Sequence, residues 1–145
     1  MVTMSTINIG INGLGRIGRT VIREFEKRKA EGMYANIQIT AVNNPGKPEN
    51  YINLIKYDSL HGRFPGEVSL NGSTLTCGTS NMTFFTEREP SDIKWSDAGV
   101  DIVIDATGIF KDKDSLSKHI SGSVKKVMMC APGSNLDGTF VFGIN

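Results

Sequence analysis

Cysteine is scarce in this chain, with Cys77 and Cys130 the only two in 145 residues. They form no CxxC pair and no Cys/His cluster, and His61 and His119 lack metal-ligand spacing. No metal site is therefore expected, and the histidines read as structural or solvent-facing. So little cysteine points to reduced thiols in a cytosolic, cytoplasmic protein. No apolar run reaches the ~18 residues that a bilayer-spanning helix needs. Met1 to Thr6 has no basic stretch followed by an apolar core, so no signal peptide is expected. An excess of one charge is missing too. Sixteen Lys and Arg face fifteen Asp and Glu, a net +1, which gives no electrostatic case for nucleic acid or an acidic membrane surface.

What is present suits one compact domain over residues 1–145, with a 39% hydrophobic fraction and no repeat, linker or low-complexity tract. Ile7, Ile9 and Ile11 alternate with Asn8, Gly10 and Asn12, a strand period. From Arg16 to Ala30 the period becomes helical, with Ile17, Val21, Ile22 and Phe25 on one stripe and Arg23, Glu24, Glu26 and Lys27 outward. The basic run Lys27-Arg28-Lys29 suits a helix C-terminus, and Gly32 is a stop. Ile37 to Val42 reads as a second strand, closed by Asn43-Asn44-Pro45-Gly46, and Asn50 to Tyr57 as a short helix.

Glu67 to Leu70 and Ser73 to Thr76 flank Asn71-Gly72, the signature of a type I′ hairpin. Further strands are expected at Met82 to Thr86, Val100 to Ala106, Lys126 to Ala131 and Thr139 to Ile144. A helix over Asp112 to Ser121 places Leu116 and Ile120 inward. Strands alternating with helices predict an α/β, Rossmann-type doubly wound fold: a mostly parallel sheet, helices on both faces and a small antiparallel hairpin.

The chemistry concentrates in Gly13-Leu14-Gly15-Arg16-Ile17-Gly18, which follows a strand and opens an amphipathic helix. That context turns a weak GxGxxG pattern into a dinucleotide-binding signal. Gly13 permits the tight turn, Gly15 lets backbone approach a pyrophosphate, and Gly18 allows close helix packing. The N–H groups of Arg16 and Ile17, at the positive end of the helix dipole, would face the phosphates. Asn12, just before the turn, joins this cofactor-binding set.

After strand two, a carboxylate normally takes the adenosine ribose hydroxyls, but this chain has Asn44. A neutral hydrogen bond contributes roughly 0.5–1.5 kcal/mol and a charged one roughly 1.5–3. The amide therefore costs about 1 kcal/mol, near five- to tenfold in affinity. It also removes the repulsion that excludes a 2′-phosphate, so NADP becomes possible beside NAD. Thr107 and Gly108 follow the buried strand at its ligand-binding edge. Phe110 lies either against adenine or in the core. By spacing alone Arg88 is a surface ion-pair partner.

Ile9-Gly10-Ile11-Asn12-Gly13-Leu14-Gly15-Arg16-Ile17-Gly18-Arg19 resembles the opening of phosphorylating glyceraldehyde-3-phosphate dehydrogenases. The segments Lys56 to Phe64, Ala106 to Phe110, Lys125-Lys126-Val127 and Val141 to Asn145 resemble the family in the same order. The resemblance implies a glycolytic oxidoreductase domain in which Arg16, Ile17, Arg88, Thr107 and Gly108 contact NAD. It also raises the weight of Phe110 as a cofactor residue. Cys130 stands where the family usually has a serine before Ala-Pro, facing the nicotinamide side, and is not the catalytic thiol.

In that family the nucleophilic cysteine lies just beyond a Gly-Ile-Asn segment, and its histidine partner follows in a catalytic domain. The resemblance thus implies a cofactor half with no catalytic residues of its own. It also implies a sugar-phosphate aldehyde substrate and a homotetramer for the full-length enzyme. Two alternatives are an erythrose-4-phosphate dehydrogenase fragment, suggested by Pro132 to Asp137, and a non-catalytic dinucleotide-binding module.

Overall fold

Strand β1 (Ile7–Asn12) lies near the middle of a seven-stranded sheet in a computed structural model that describes residues 4–145. Residues 1–3, part of the stretch read above for a signal peptide, lie outside the described residues. The other strands of this sheet are β2 (Ile37–Asn43), β5 (Val68–Asn71), β6 (Thr74–Cys77), β7 (Ser80–Phe85), β8 (Ile102–Asp105) and β9 (Lys126–Met129). Their order is β5-β6-β7-β2-β1-β8-β9. The run from β7 to β9 is parallel, and β5 and β6 extend it as an antiparallel hairpin. A separate two-stranded ribbon joins β3 (Tyr57–Asp58) to β4 (Gly62–Arg63). This is the expected doubly wound α/β architecture.

The two faces of the sheet are covered differently. One carries helix α1 (Arg16–Ala30) and the shorter α2 (Glu49–Lys56). Among the described residues, fourteen buried side chains form its core, including Ile11, Ile22, Phe25, Val42, Ile55 and Leu75. The other face holds a core of six: Ala41, Ile93, Trp95, Val100, Val103 and Val124. Its cover is made of 3-10 turns at Pro90–Asp92 and Trp95–Ala98 and the short helix α3 (Lys113–Ser117). Gly10 makes this possible, since a Cβ there would sit 2.7 Å from the Trp95 ring. The indole therefore approaches β1 closely at this position.

Several expectations need correction. Thr139 to Ile144 is not a strand: it is a turn with Phe140, Val141, Phe142 and Ile144 exposed. Its alternation of apolar residues has no neighbouring strand to pair with. The helix expected over Asp112 to Ser121 is cut to five residues, capped by Asp112 accepting from the Ser115 N–H at 2.9 Å. Leu116 is buried as expected, but Ile120 is half exposed.

In the hairpin, Asn71 stays in β5 opposite Thr74, and the turn is Gly72-Ser73. Only Gly72 has a positive φ, +60°, the pattern of type II′ rather than type I′. On α1, Ile17 leaves the apolar stripe with 50% exposure. Glu26 is buried instead of outward, and its carboxylate accepts from Thr79 N–H at 2.7 Å and from the Thr79 and Ser80 hydroxyls. A carboxylate can be buried when it gains that many donors. Gly32 does follow the helix end, with φ +86°.

Candidate cofactor site

Five parallel strands end level with one another. Phe85, Asn43, Asn12, Asp105 and Met129 are register neighbours across β7, β2, β1, β8 and β9. The residues that follow them, at the carboxyl rim, include Asn44, Gly13, Thr107 and Cys130, with Arg88 in the loop after β7. The connections from β1 run to β2 on one side, while β8 lies on the other. Ligands bind open parallel sheets at such a switch point. A cleft of about 660 Å³, lined by Arg23, Lys27, His61, Phe64 and Thr79, lies elsewhere, beside α1.

The glycine turn has the geometry its sequence predicts. Gly13 has φ +94°, and a Cβ there would crowd Thr107 at 2.9 Å. At Gly18 a Cβ would fall 1.9 Å from the Gly13 carbonyl oxygen, so α1 can pack on the turn only without one. Gly15 differs from both. It has ordinary backbone angles, and a Cβ would meet no protein atom within 4 Å. The fold itself does not require glycine at this position. A ligand lying over the turn would.

Gly15 is the N-cap of α1, and no acidic side chain stands in the first turn to satisfy the leading N–H groups. Arg16 and Ile17 are exposed beside it. The rim thus presents an open backbone cradle with a positive helix end.

Asn44 is held from three sides. Its Oδ1 accepts the Leu14 N–H at 2.8 Å, inside the glycine turn. Its Nδ2 donates to the Pro45 carbonyl at 2.9 Å and to the Tyr51 hydroxyl. On the other side of β1, Asp105 Oδ1 accepts from the Thr107 N–H at 3.1 Å and the Thr107 hydroxyl at 2.6 Å. The Thr107 hydroxyl oxygen in turn accepts the Ile109 N–H at 3.2 Å. Gly108, with φ +67°, has open space where a Cβ would be. Phe110 is half-buried, its ring set edge-on to His119 at 6.2 Å.

Cys130 is exposed, and its N–H donates to the Asp105 carbonyl at 3.0 Å. Partial desolvation and the Asp105 carboxylate push its thiol above the ordinary value. Arg88 is exposed and has no ion-pair partner among the described residues.

Comparison with known proteins matches residues 7–113 to the family described as glyceraldehyde 3-phosphate dehydrogenase, NAD binding domain. The chain belongs to this family. A chromosomal glyceraldehyde-3-phosphate dehydrogenase of Cupriavidus necator is 40% identical over 141 residues, which is 97% of this chain and 41% of that protein. Glyceraldehyde-3-phosphate dehydrogenase 2 of Streptomyces avermitilis is 44% identical over 140 residues, 97% of this chain and 40% of its own length. A glyceraldehyde-3-phosphate dehydrogenase of Wickerhamomyces ciferrii is 46% identical over 140 residues, 96% of this chain and 40% of its own. The chain spans about 40% of the length of these curated relatives. Its glycine turn is accordingly that of an NAD-binding domain.

Beneath the glycine turn runs a buried polar chain that the sequence did not reveal. Asn43 Oδ1 accepts the Glu87 N–H at 2.9 Å, and its Nδ2 donates to Asn12 Oδ1 at 2.8 Å. Asn12 Nδ2 donates to Asp105 Oδ2 at 2.9 Å. Trp95 Nε1–H donates to His119 Nδ1 at 3.1 Å. Nδ1 is thereby the acceptor of the ring, so Nε2 carries the proton and donates to Asp105 Oδ2 at 3.1 Å.

Burial alone would raise the Asp105 carboxyl, but hydrogen bonds from His119, Thr107 and Asn12 outweigh it and hold it below the usual carboxylate value. Asn12 therefore sits at the site with its side chain engaged inward, 3% exposed. His119 takes the structural of its two expected roles. Asn43, Asp105 and Trp95 were missed because their partners lie 44, 93 and 24 residues away, and no local period signals such pairing.

Proposed function

We propose that this chain is the cofactor-holding half of a phosphorylating glyceraldehyde-3-phosphate dehydrogenase, with NAD lying across the rim between β2 and β8. The observation that carries this reading is the void at Gly15, in a turn matched to that family's NAD-binding domain. The pyrophosphate takes the N–H groups of Arg16 and Ile17, with Gly13 and Gly15 beneath it. Asn44 meets the adenosine ribose. Thr107 and Gly108 border the other side, Arg88 and Phe110 approach the adenine, and Cys130 lies toward the nicotinamide. Asn12 serves from below, through its hold on Asp105.

When bound, NAD supplies the hydride acceptor. The chain's own residues orient it and offer no nucleophile for the aldehyde. The Cys77 thiol is buried, and desolvation followed by the Glu26 carboxylate pushes it to about 12. Cys130 is raised as well. Neither is the low-pKa thiolate that covalent catalysis requires. The chain alone is proposed to bind cofactor without turnover. The thiolate attack, the sugar-phosphate substrate and a homotetrameric assembly belong to the whole enzyme. Both thiols being free suits a reducing cytoplasm.

Because Asn44 is uncharged, NADP is tolerated more than an aspartate would allow, with NAD preferred by less than about a hundredfold (roughly 2.7 kcal/mol). Calorimetric titration with NAD and NADP, paired with a dehydrogenase assay, tests all of this. Saturable NAD binding without turnover is the expected result. No binding, turnover by the isolated chain, or a stronger preference would each overturn its part.

A further inference from the structure

The orientation of the Asn44 amide is fixed by its neighbours. Oδ1 must face Leu14, because a backbone N–H needs an acceptor. Nδ2 must face Pro45, because a carbonyl needs a donor. An amide reversed end for end would set donor against donor and acceptor against acceptor. The second Nδ2 proton goes to the Tyr51 hydroxyl, which in turn reaches the Pro45 carbonyl at 3.5 Å. Tyr51 is held in place by helix α2 and by its ring contact with Phe84, 6.0 Å between centroids.

Both donors of the amide are thus engaged within the protein. What remains toward a ligand is the second lone pair of Oδ1. Asn44 then behaves as an acceptor, as a carboxylate would, only without charge. A ribose hydroxyl can donate to it. A 2′-phosphate, itself a cluster of acceptors, cannot.

We propose that Tyr51 is a positioning residue that sets dinucleotide specificity, by engaging the one Asn44 Nδ2 proton that the Pro45 carbonyl leaves free. This rests on the reading of the rim as a dinucleotide site, and it locates the remaining preference for NAD in a hydroxyl that touches no ligand. Removing that hydroxyl frees one Nδ2 proton, which a 2′-phosphate can then accept. A carboxylate at position 44 has no such proton to free, so there losing the hydroxyl gives a 2′-phosphate nothing new to accept.

The test titrates the chain, Tyr51→Phe, Asn44→Asp and the double variant with NAD and with NADP. Tyr51→Phe should lower the NAD-over-NADP affinity ratio about fivefold, the scale of one neutral hydrogen bond, chiefly through tighter NADP binding. In the Asn44→Asp background the same change should leave the ratio within about twofold, by the double-cycle logic. Equal weakening of both cofactors, or an unchanged ratio, would overturn the proposal while leaving the site reading intact. Binding of neither cofactor to the unmodified chain would remove the site reading and the proposal with it. Should Tyr51→Phe not fold, side-chain amide NMR of the unmodified chain decides. Rotation about the amide C–N bond is slow, so the two Asn44 protons are read separately: solvent exchange of the one facing Tyr51 should be slowed, and exchange as fast as in a free amide would overturn the proposal.

Discussion

On the β2 side of β1 the glycine turn is tied by a neutral, half-buried amide, whereas on the β8 side the Thr107 turn hangs from a carboxylate that solvent does not reach. Both ties join a strand end to the loop beside it, and both run beneath the same proposed cofactor. The difference follows from what surrounds them. Asn44 stands above the larger apolar core, which already fixes β2 and α1. Asp105 borders the face with only six buried apolar side chains among the described residues. There the polar chain from Asn12 through His119 to Trp95 adds the cohesion that apolar area does not supply. A neutral tie can be altered at small cost and so suits specificity, while a buried charge holds the frame.

The largest effect should come from cutting the charged tie. Asp105→Ala leaves the buried donors of Asn12 and His119, and those of half-buried Thr107, without an acceptor and should destabilise the chain by about 3–5 kcal/mol. Asp105→Asn, nearly the same shape, should cost almost as much, since its NH₂ would face the donors of Asn12 and His119 or of Thr107. Urea unfolding measures both, and a loss below about 1 kcal/mol would contradict the contrast drawn above. The pH dependence has a definite sign. The native carboxyl is held below its ordinary value, so its contribution is complete above the unfolded pKa of about 3.9. It is then lost as pH falls through the lower native value. Trp95 is the single tryptophan, so its emission during acid titration reports this loss, which Asp105→Asn should abolish.

Next in size is Trp95→Phe. It removes the indole donor and leaves His119 Nδ1 buried and unsatisfied, for about 1–3 kcal/mol, measurable by circular dichroism. The ring of Phe110 rests against the same histidine, so the loop after Gly108 should exchange its amide hydrogens faster in this variant. Gly15→Ala separates fold from ligand. With open space around its Cβ, it should change stability by less than about 1 kcal/mol yet weaken NAD about tenfold or more (roughly 1.4 kcal/mol). A variant that binds NAD normally would show that the void has no ligand to fill it.

The glycine turn, α1 and the alternating β1 were legible because a period of two, a period of 3.6 and a glycine pattern are local signals. Residue-by-residue reading also placed Asn44 and Thr107 at the rim. The sequence could not show that Glu26 points inward, because its partners Thr79 and Ser80 are more than fifty residues away. The apolar alternation of Thr139 to Ile144 resembled a strand, yet a strand exists only where a neighbour accepts its ladder. Its place before the turn marks Asn12 as a cofactor residue in the sequence. Its inward engagement becomes visible only when β2 and β8 flank β1 in register.

Asn44→Asp produces the smallest of these effects and tests the neutral tie most directly. The carboxylate keeps the Leu14 N–H as a donor and can accept from the Tyr51 hydroxyl, but it meets the Pro45 carbonyl, which Nδ2 now satisfies at 2.9 Å. That opposed pair of acceptors offsets part of the gain. Charge assistance at the ribose is worth about 1 kcal/mol, so NAD should bind up to five- to tenfold tighter. NADP should bind more weakly, since the carboxylate repels its 2′-phosphate. Raising the salt concentration should shrink the NADP penalty, because screening acts on charge repulsion and hardly on a neutral hydrogen bond. If the penalty is independent of salt, discrimination at this rim is steric, and the half-buried amide has no electrostatic part in it.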